Sequence, residues 1–369
     1  MVKNNSHKPD KILLSTVIGL LVFGLMMIAS AGVVLSKVKF GDDYFFFKHQ
    51  FFWGIIPGLI LLFIVQRIDY QKWRKFAMPF FFFALATLIL VFIPGIGSQL
   101  QGASRWIMLG PISFQPTEMM KLAIIFYLAL WIESRGEKVK NFSEGLIPFI
   151  FIIGVVSFLI IKQPDMGTLG LILLVAMTMF FIGGVPIKYL FGLIVSGAFL
   201  SFILIKLEPY RMNRILTFLH PEFDPKGIGY QINQALIAVS TGGIFGLGIG
   251  HSRQKFNYLP EPVGDSIFAI IAEELGMLGS GVLILLFLVI ALRGYKIAKN
   301  APDKFGKLLA VGITSWIVFQ ALINMMSIVG TIPMTGIPLP FVSYGSTSLI
   351  FVLIGAGVLL NISRYSKME

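Results

Sequence analysis

Apolar runs of about 18–20 residues recur along this chain, separated by short polar stretches or by clusters of glycine and proline. As a helix, each run is long enough to cross ~30 Å of hydrocarbon. The runs are continuous and do not alternate, so they predict helices and not the strands of a barrel. Ten spans result, at about 13–35, 46–65, 76–93, 116–132, 145–161, 167–184, 187–205, 265–292, 306–330 and 343–362. No small-residue cleavage pattern follows the first run, which predicts a retained helix and not a signal peptide. The fold class is an all-α polytopic membrane protein, expected as one integral membrane domain over 1–369.

Three connecting segments stand out. The longest, at about 206–264, has seven glycines between Gly227 and Gly250. Within it Ile232, Leu236 and Val239 are at helical spacing, which predicts a helix lying at the membrane surface. The segment 93–114 carries Pro94, Gly95, Gly97, Gly102, Gly110 and Pro111, too broken for a helix, and is expected as an ordered loop. The segment 331–342 has three prolines and no charge.

Composition sharpens the class. With 56% apolar and 13% charged residues, against about 25% charged in soluble domains, a cytosolic enzyme, a disordered chain and a nucleic-acid-binding module are excluded. There is no cysteine, which removes disulfides, thiolate zinc sites and iron–sulfur clusters. The four histidines, His7, His49, His220 and His251, do not pair at helical spacing, so no metal site is expected from them. The net charge of +12 is mostly topology: with the N-terminus inside, 18 of 30 Lys and Arg fall on cytoplasmic pieces and five on the short outer ones. Both termini are therefore expected in the cytoplasm, and the 206–264 segment outside, between helices seven and eight.

Ionisable groups within spans are costly and so mark candidate sites. Glu118 and Lys121 share one face of the fourth span, just after Pro116, and read either as a self-neutralising pair or as the charge of a polar cavity. Asp165, between spans five and six, reads as a helix cap or as a substrate contact. Asp265 stands where the long segment enters the eighth span; a cap is the alternative, but Ser266 would cap equally well. Cations gather on the same outward side: Arg105, Arg211, Arg214, Lys226, Arg253 and Lys255. Arg211 and Arg214, three apart, suit the gripping of a phosphate, or snorkelling to headgroups. One acid among several cations suits transfer to a hydroxyl from a lipid-diphosphate donor. A glycosidic leaving group usually needs a second carboxyl to protonate it. A diphosphate needs countercharge instead, so one general base suffices.

Several stretches resemble the SEDS family of bacterial cell-wall proteins, which contains RodA, FtsW and SpoVE. They are Gly102-Ala-Ser-Arg-Trp through Glu118 and Lys121, Gln163-Pro-Asp-Met-Gly-Thr, Asp224-Pro-Lys-Gly-Ile-Gly-Tyr-Gln, and Gly242-Gly through Gly250. Ser252-Arg-Gln-Lys-Phe-Asn-Tyr-Leu-Pro-Glu, Phe268-Ala-Ile-Ile-Ala-Glu-Glu-Leu-Gly and Gly336-Ile-Pro-Leu-Pro-Phe-Val-Ser-Tyr-Gly follow in the family's order. Ser252-Arg-Gln-Lys-Phe and Tyr258-Leu-Pro-Glu-Pro look closer to FtsW and SpoVE than to RodA. Two departures are visible: Val263-Gly264 stand where the family usually has His-Thr, and Ser346 follows Gly345 where a second glycine is usual.

The resemblance implies a ten-helix peptidoglycan glycosyltransferase that polymerises lipid II on the outer face of the bacterial cytoplasmic membrane. A class B penicillin-binding protein would be its transpeptidase partner. The family's essential aspartate falls on Asp265, and the functional acid and base of its fourth helix on Glu118 and Lys121. Arg105, Asp165, Arg211, Arg214, Lys255, Glu261 and Ser343 complete the candidate substrate or cavity residues. No bound cofactor is expected, a divalent cation (Mg or Mn) being the one addition such a site would accept. The alternatives are a lipid II flippase and a non-catalytic scaffold for the penicillin-binding protein. The apolar inner halves of most spans favour the polymerase over the flippase.

Overall fold

The computed structural model describes residues 7–366 apart from 101, 102, 111, 225, 226 and 257, and only the backbone of 99, 100, 103, 104, 109 and 112. Lys226 of the expected cation cluster, and Gly102, Pro111, Pro225 and Asn257 of the motifs, lie outside the described residues.

All ten expected spans are helical. They are α1 (Lys11–Phe40), α2 with α3 (Phe45–Gln50 and Ile56–Arg67, joined by a π-turn), α4 (Trp73–Leu90), α5 (Pro116–Arg135), α6 (Ile147–Lys162), α7 (Met166–Ile182) and α8 (Ile187–Leu207), then, beyond two shorter helices, α11 (Ile267–Lys299), α12 (Lys304–Ile328) and α13 (Ser346–Ser363). Among the described residues, eight helical stretches are long and apolar enough to cross a membrane; α7 is shorter, and α5 carries Glu118 and Lys121. Local chemistry sets the ends. Pro116 opens α5 at a position where the missing N–H has no intrahelical partner. Asp10 caps α1 by accepting from Leu13 N, and Gly41 closes that helix in the left-handed region.

The core is α5, α12 and α13, the last two each buried over 78% of their apolar stretches. α12 packs against α5, α7, α11 and α13, and α13 lies along α3. Small residues permit that approach: a Cβ at Gly357 would stand 2.8 Å from Leu62 O. The lysine- and arginine-rich end is fastened by ion pairs, Asp10 with Arg293 at 2.7 Å and Arg74 with Glu133 and Asp303 at 2.8 and 3.3 Å. α8, by contrast, touches α7 and α9 (Pro209–Leu219) and is buried over only 6% of its apolar stretch.

Three local expectations are corrected. The segment 93–114 is not a loop but an antiparallel sheet, β1 (Gly97–Leu100), β2 (Ala103–Leu109) and β3 (Ile112–Phe114), in that spatial order. Gly110, with φ +63°, follows β2 and turns the chain towards β3. The surface helix is α10 (Ile228–Gly242), but its buried stripe is Ile232, Ala235, Ala238 and Gly242, while Leu236 stays 37% exposed. The eighth span, finally, is broken at Gly276, whose φ is +65° and ψ −163°.

That break explains the glycine-rich segment. Carbonyls freed at the end of the first half-helix accept from Leu247 N (Glu273 O, 2.9 Å) and Gly248 N (Glu274 O, 2.9 Å). Amides at the start of the second half donate to the same stretch, Met277 N to Gly243 O at 2.9 Å and Leu278 N to Ile244 O at 3.1 Å. Backbone inside a membrane protein must be satisfied internally, and here a neighbouring strand of backbone does it. The two chains approach so closely that a Cβ at Gly242 would lie 1.9 Å from Ala272 O, and one at Gly246 2.2 Å from Glu274 O.

Candidate active site around Asp265

Asp265 ends a tight turn that delivers the chain into α11. Glu261 O accepts from Gly264 N at 3.1 Å and from Ser266 N at 3.3 Å. Ser266, not Asp265, occupies the cap position of α11, so the carboxylate is not committed to the helix end. The turn is pinned from the segment before α13. Ser343 Oγ donates to Gly264 O at 2.8 Å and accepts from Leu339 N at 2.8 Å, and Tyr344 N donates to Val263 O at 2.8 Å. Gly336 flanks the carboxylate: its φ is +70°, and a Cβ there would come within 3.4 Å of Asp265 Oδ2.

The electrostatics single out the same residue. Burial pushes the Asp265 carboxyl up to about 6, and the nearby Glu261 charge adds to the rise. Its own backbone hydrogen bond, then Arg214 and Arg105, pull the other way. The structure thus brings Asp265, Glu261, Arg105 and Arg214 into one electrostatic neighbourhood, although they come from three separate segments: the turn before α11, β2 and α9. Arg105, on β2, also donates Nε to Gln163 O at 2.9 Å and Nη2 to Pro164 O, which holds the turn before α7. Arg214, on α9, lies 5.1 Å from the centroid of the Tyr210 ring.

The other candidates have different positions. Asp165 is a helix cap, accepting from Thr168 N at 3.1 Å. The start of α7 meets the Gly336 segment, since a Cβ at Gly167 would stand 2.7 Å from Thr335 O. Arg211 donates to Leu204 O at 3.0 Å and so ties α9 to α8. Lys255 is buried against Glu274 at 3.1 Å and donates to Gly250 O at 2.6 Å, so its charge is already matched. Glu273 accepts from Ser252 Oγ (2.5 Å) and Arg253 N (3.0 Å) and organises the same loop.

Glu118 and Lys121 form a sealed pair: Nζ lies 2.8 Å from each carboxylate oxygen, and both side chains are 2% exposed. Nζ also donates to Gln320 Oε1 at 2.8 Å, and Gln320 Nε2 donates to Pro338 O at 2.9 Å. The pair is therefore joined to the segment that carries Gly336. Gln320 and Asn324, one turn apart on α12, escaped a sequence search directed at charges. Two neutral amides at i and i+4 inside an apolar span were the available signal. Among the described residues no three His, Asp or Glu converge as a metal site; the cationic charges that act on Asp265 are those of Arg214 and Arg105.

A multi-span helical membrane protein with an elevated carboxyl, acted on by one acid and two guanidiniums, defines the class. The family model FTSW_RODA_SPOVE, described as "Cell cycle protein", matches residues 11–368, and the chain belongs to that family. It is 43% identical to stage V sporulation protein E of Bacillus subtilis over 361 residues, covering 97% of this chain and 98% of that one. A protein named probable peptidoglycan glycosyltransferase FtsW, from Geobacter metallireducens, is 40% identical, covering 97% and 95%. Among solved structures, a chain from a peptidoglycan synthase complex that coordinates polymerization and crosslinking matches with a TM-score of 0.80 and 27% identity, covering 96% of this chain and 98% of that one. The motif-level likeness to FtsW and SpoVE agrees with these relatives.

Proposed function

We propose that this chain is a peptidoglycan glycosyltransferase that polymerises lipid II at the outer face of the bacterial cytoplasmic membrane. It would act as one integral membrane unit of ten spans, with both termini inside, alongside a class B penicillin-binding protein. The observation that carries the reading is Asp265: a carboxyl released from helix capping, raised to about 6, and within the electrostatic reach of Arg214 and Arg105. In this mechanism Asp265 takes the proton from the acceptor sugar hydroxyl as its oxygen bonds to the donor's anomeric carbon. The bond from that carbon to the diphosphate oxygen breaks, and the lipid diphosphate leaves with the bonding electrons. Arg214 and Arg105 stabilise the charge that develops on it. The names of the FtsW relatives support the same activity, and the synthase-complex structure supports a crosslinking partner.

Translocation of lipid II is the weaker reading. A path would need polar groups free to exchange partners through the membrane, whereas Glu118 and Lys121 are sealed and already matched.

The base must be deprotonated to work, so activity is present above its pKa and lost below it. Glycan synthesis measured between pH 4.5 and 8 is expected to fall tenfold per unit once the pH drops through about 6. A rate independent of pH across that window would remove Asp265 from the role of base.

A further inference from the structure

We propose that Asn324 is a positioning residue for Asp265, clamping the catalytic turn and the Gly336 segment together through one buried amide. The inference rests on the glycosyltransferase reading above. Asn324 is 1% exposed and lies on α12, which with α5 and α13 is among the most enclosed helices of the bundle. Its Nδ2 donates to Asp265 O at 2.8 Å and to Ile337 O at 2.8 Å. Both of its hydrogens are used, each on the backbone of a different wall of the site. Asn324 Oδ1 is buried with no partner among the described contacts, so the two carbonyls, and no opposing donor, fix the way the amide faces.

The clamp acts where the carboxylate is most sensitive. Holding the Asp265 carbonyl fixes the Cα from which the carboxylate projects. Holding Ile337 O fixes the neighbouring Gly336, which forms the flank beside Oδ2. One turn earlier, Gln320 holds Pro338 O and also receives Lys121 Nζ and the Trp316 indole N–H, each at 2.8 Å. α12 thus carries two amides that hold adjacent carbonyls, 337 and 338. One of them reaches the Asp265 turn, and the other reaches the intramembrane Glu118–Lys121 pair. The charged groups that act on Asp265 are Glu261, Arg214 and Arg105, and none of them touches Asn324 among the described hydrogen bonds and ion pairs. Replacing Asn324 therefore changes where the carboxylate sits without deleting a charge that acts on it.

The experiment compares Asn324→Leu, which keeps the size but removes both donors, with Asn324→Ser, which keeps one donor on a shorter arm. Each is purified with the class B penicillin-binding protein and assayed on labelled lipid II, alongside Asp265→Asn. A 1 Å misplacement of a reacting group costs about 100-fold. Asn324→Leu is thus expected to lower kcat about 30- to 100-fold with KM within about threefold, and to move the acid limb of the pH profile towards the ordinary carboxylate range. Asn324→Ser is expected to fall between it and the parent. A merely structural role would lower the amount of folded enzyme and leave kcat per folded molecule and the acid limb unchanged; that result overturns the proposal. If Asn324→Leu does not fold, the Asn324→Ser profile decides by the same two readouts. Full activity in Asp265→Asn would instead overturn the glycosyltransferase reading, which an unchanged Asn324 variant alone would leave standing.

Discussion

Asp265→Asn is expected to lower lipid II polymerisation by about 100- to 10,000-fold, the usual worth of a positioned general base, while membrane insertion and folding are kept. The amide preserves the shape of the side chain and the backbone hydrogen bond to Asn324. The stability effect has a definite sign. A carboxyl whose folded pKa is raised, here from 3.8 to about 6, favours the folded state when protonated; that stability is lost as pH rises through about 6. At pH 7.5 the parent therefore carries the cost of a half-buried charge that the asparagine variant lacks. A thermal unfolding midpoint equal to or above the parent's, together with lost synthesis, is the combined signature. A lower midpoint would show that the carboxylate holds the turn together, and loss of activity would then say nothing of catalysis.

The second large effect concerns Glu118 and Lys121. Removing one member of a sealed ion pair leaves its partner charged in low dielectric, a loss of about 3–5 kcal/mol. Lys121→Met is expected to show it as a marked fall in the unfolding midpoint and in yield from the membrane. The double variant Glu118→Gln/Lys121→Met removes both charges and is expected to recover most of the loss. Equal losses in the single and double variants would contradict the pair as drawn. Because Lys121 also donates to Gln320, whose amide holds Pro338 O, the double variant tests whether a neutral core still supports the site. Activity below the parent's in a stably folded double variant is the expected outcome.

The spans were legible because hydrocarbon thickness demands long apolar runs, and each run became a helix. Asp265 was legible because it stands at the mouth of a span, where an acid is costly, and because its surroundings resemble a known family. What escaped notice has physical causes. Glycine and proline mark turns between short strands as readily as they mark loops, so the β1–β3 sheet looked like an irregular segment. The break at Gly276 lies within Glu273-Glu274-Leu275-Gly276-Met277, which reads as continuous helix. Only the approach of residues 243–248 reveals that its backbone is satisfied from elsewhere. Lys255 looked like a free cation because its partner, Glu274, is assigned to it by tertiary structure and not by sequence spacing. Asn324 and Gln320 carry no charge and were passed over, yet they fasten the two walls of the site.

The charge distribution takes on a narrower meaning in the folded chain. Of the outward cations, Lys255 is already paired and Arg211 serves a helix end, whereas Arg214 and Arg105 are the two whose charges act on Asp265. Arg105 has two duties, since it also holds the Gln163–Pro164 carbonyls.

The most direct test of the account reconstitutes the purified protein with its penicillin-binding protein in liposomes, with the transpeptidase blocked and labelled lipid II supplied. Glycan strands and lipid translocation are measured in the same preparation. Glycan strands that disappear in Asp265→Asn are expected, with no translocation above protein-free vesicles. Translocation without glycan product, unaffected by Asp265→Asn, would contradict it.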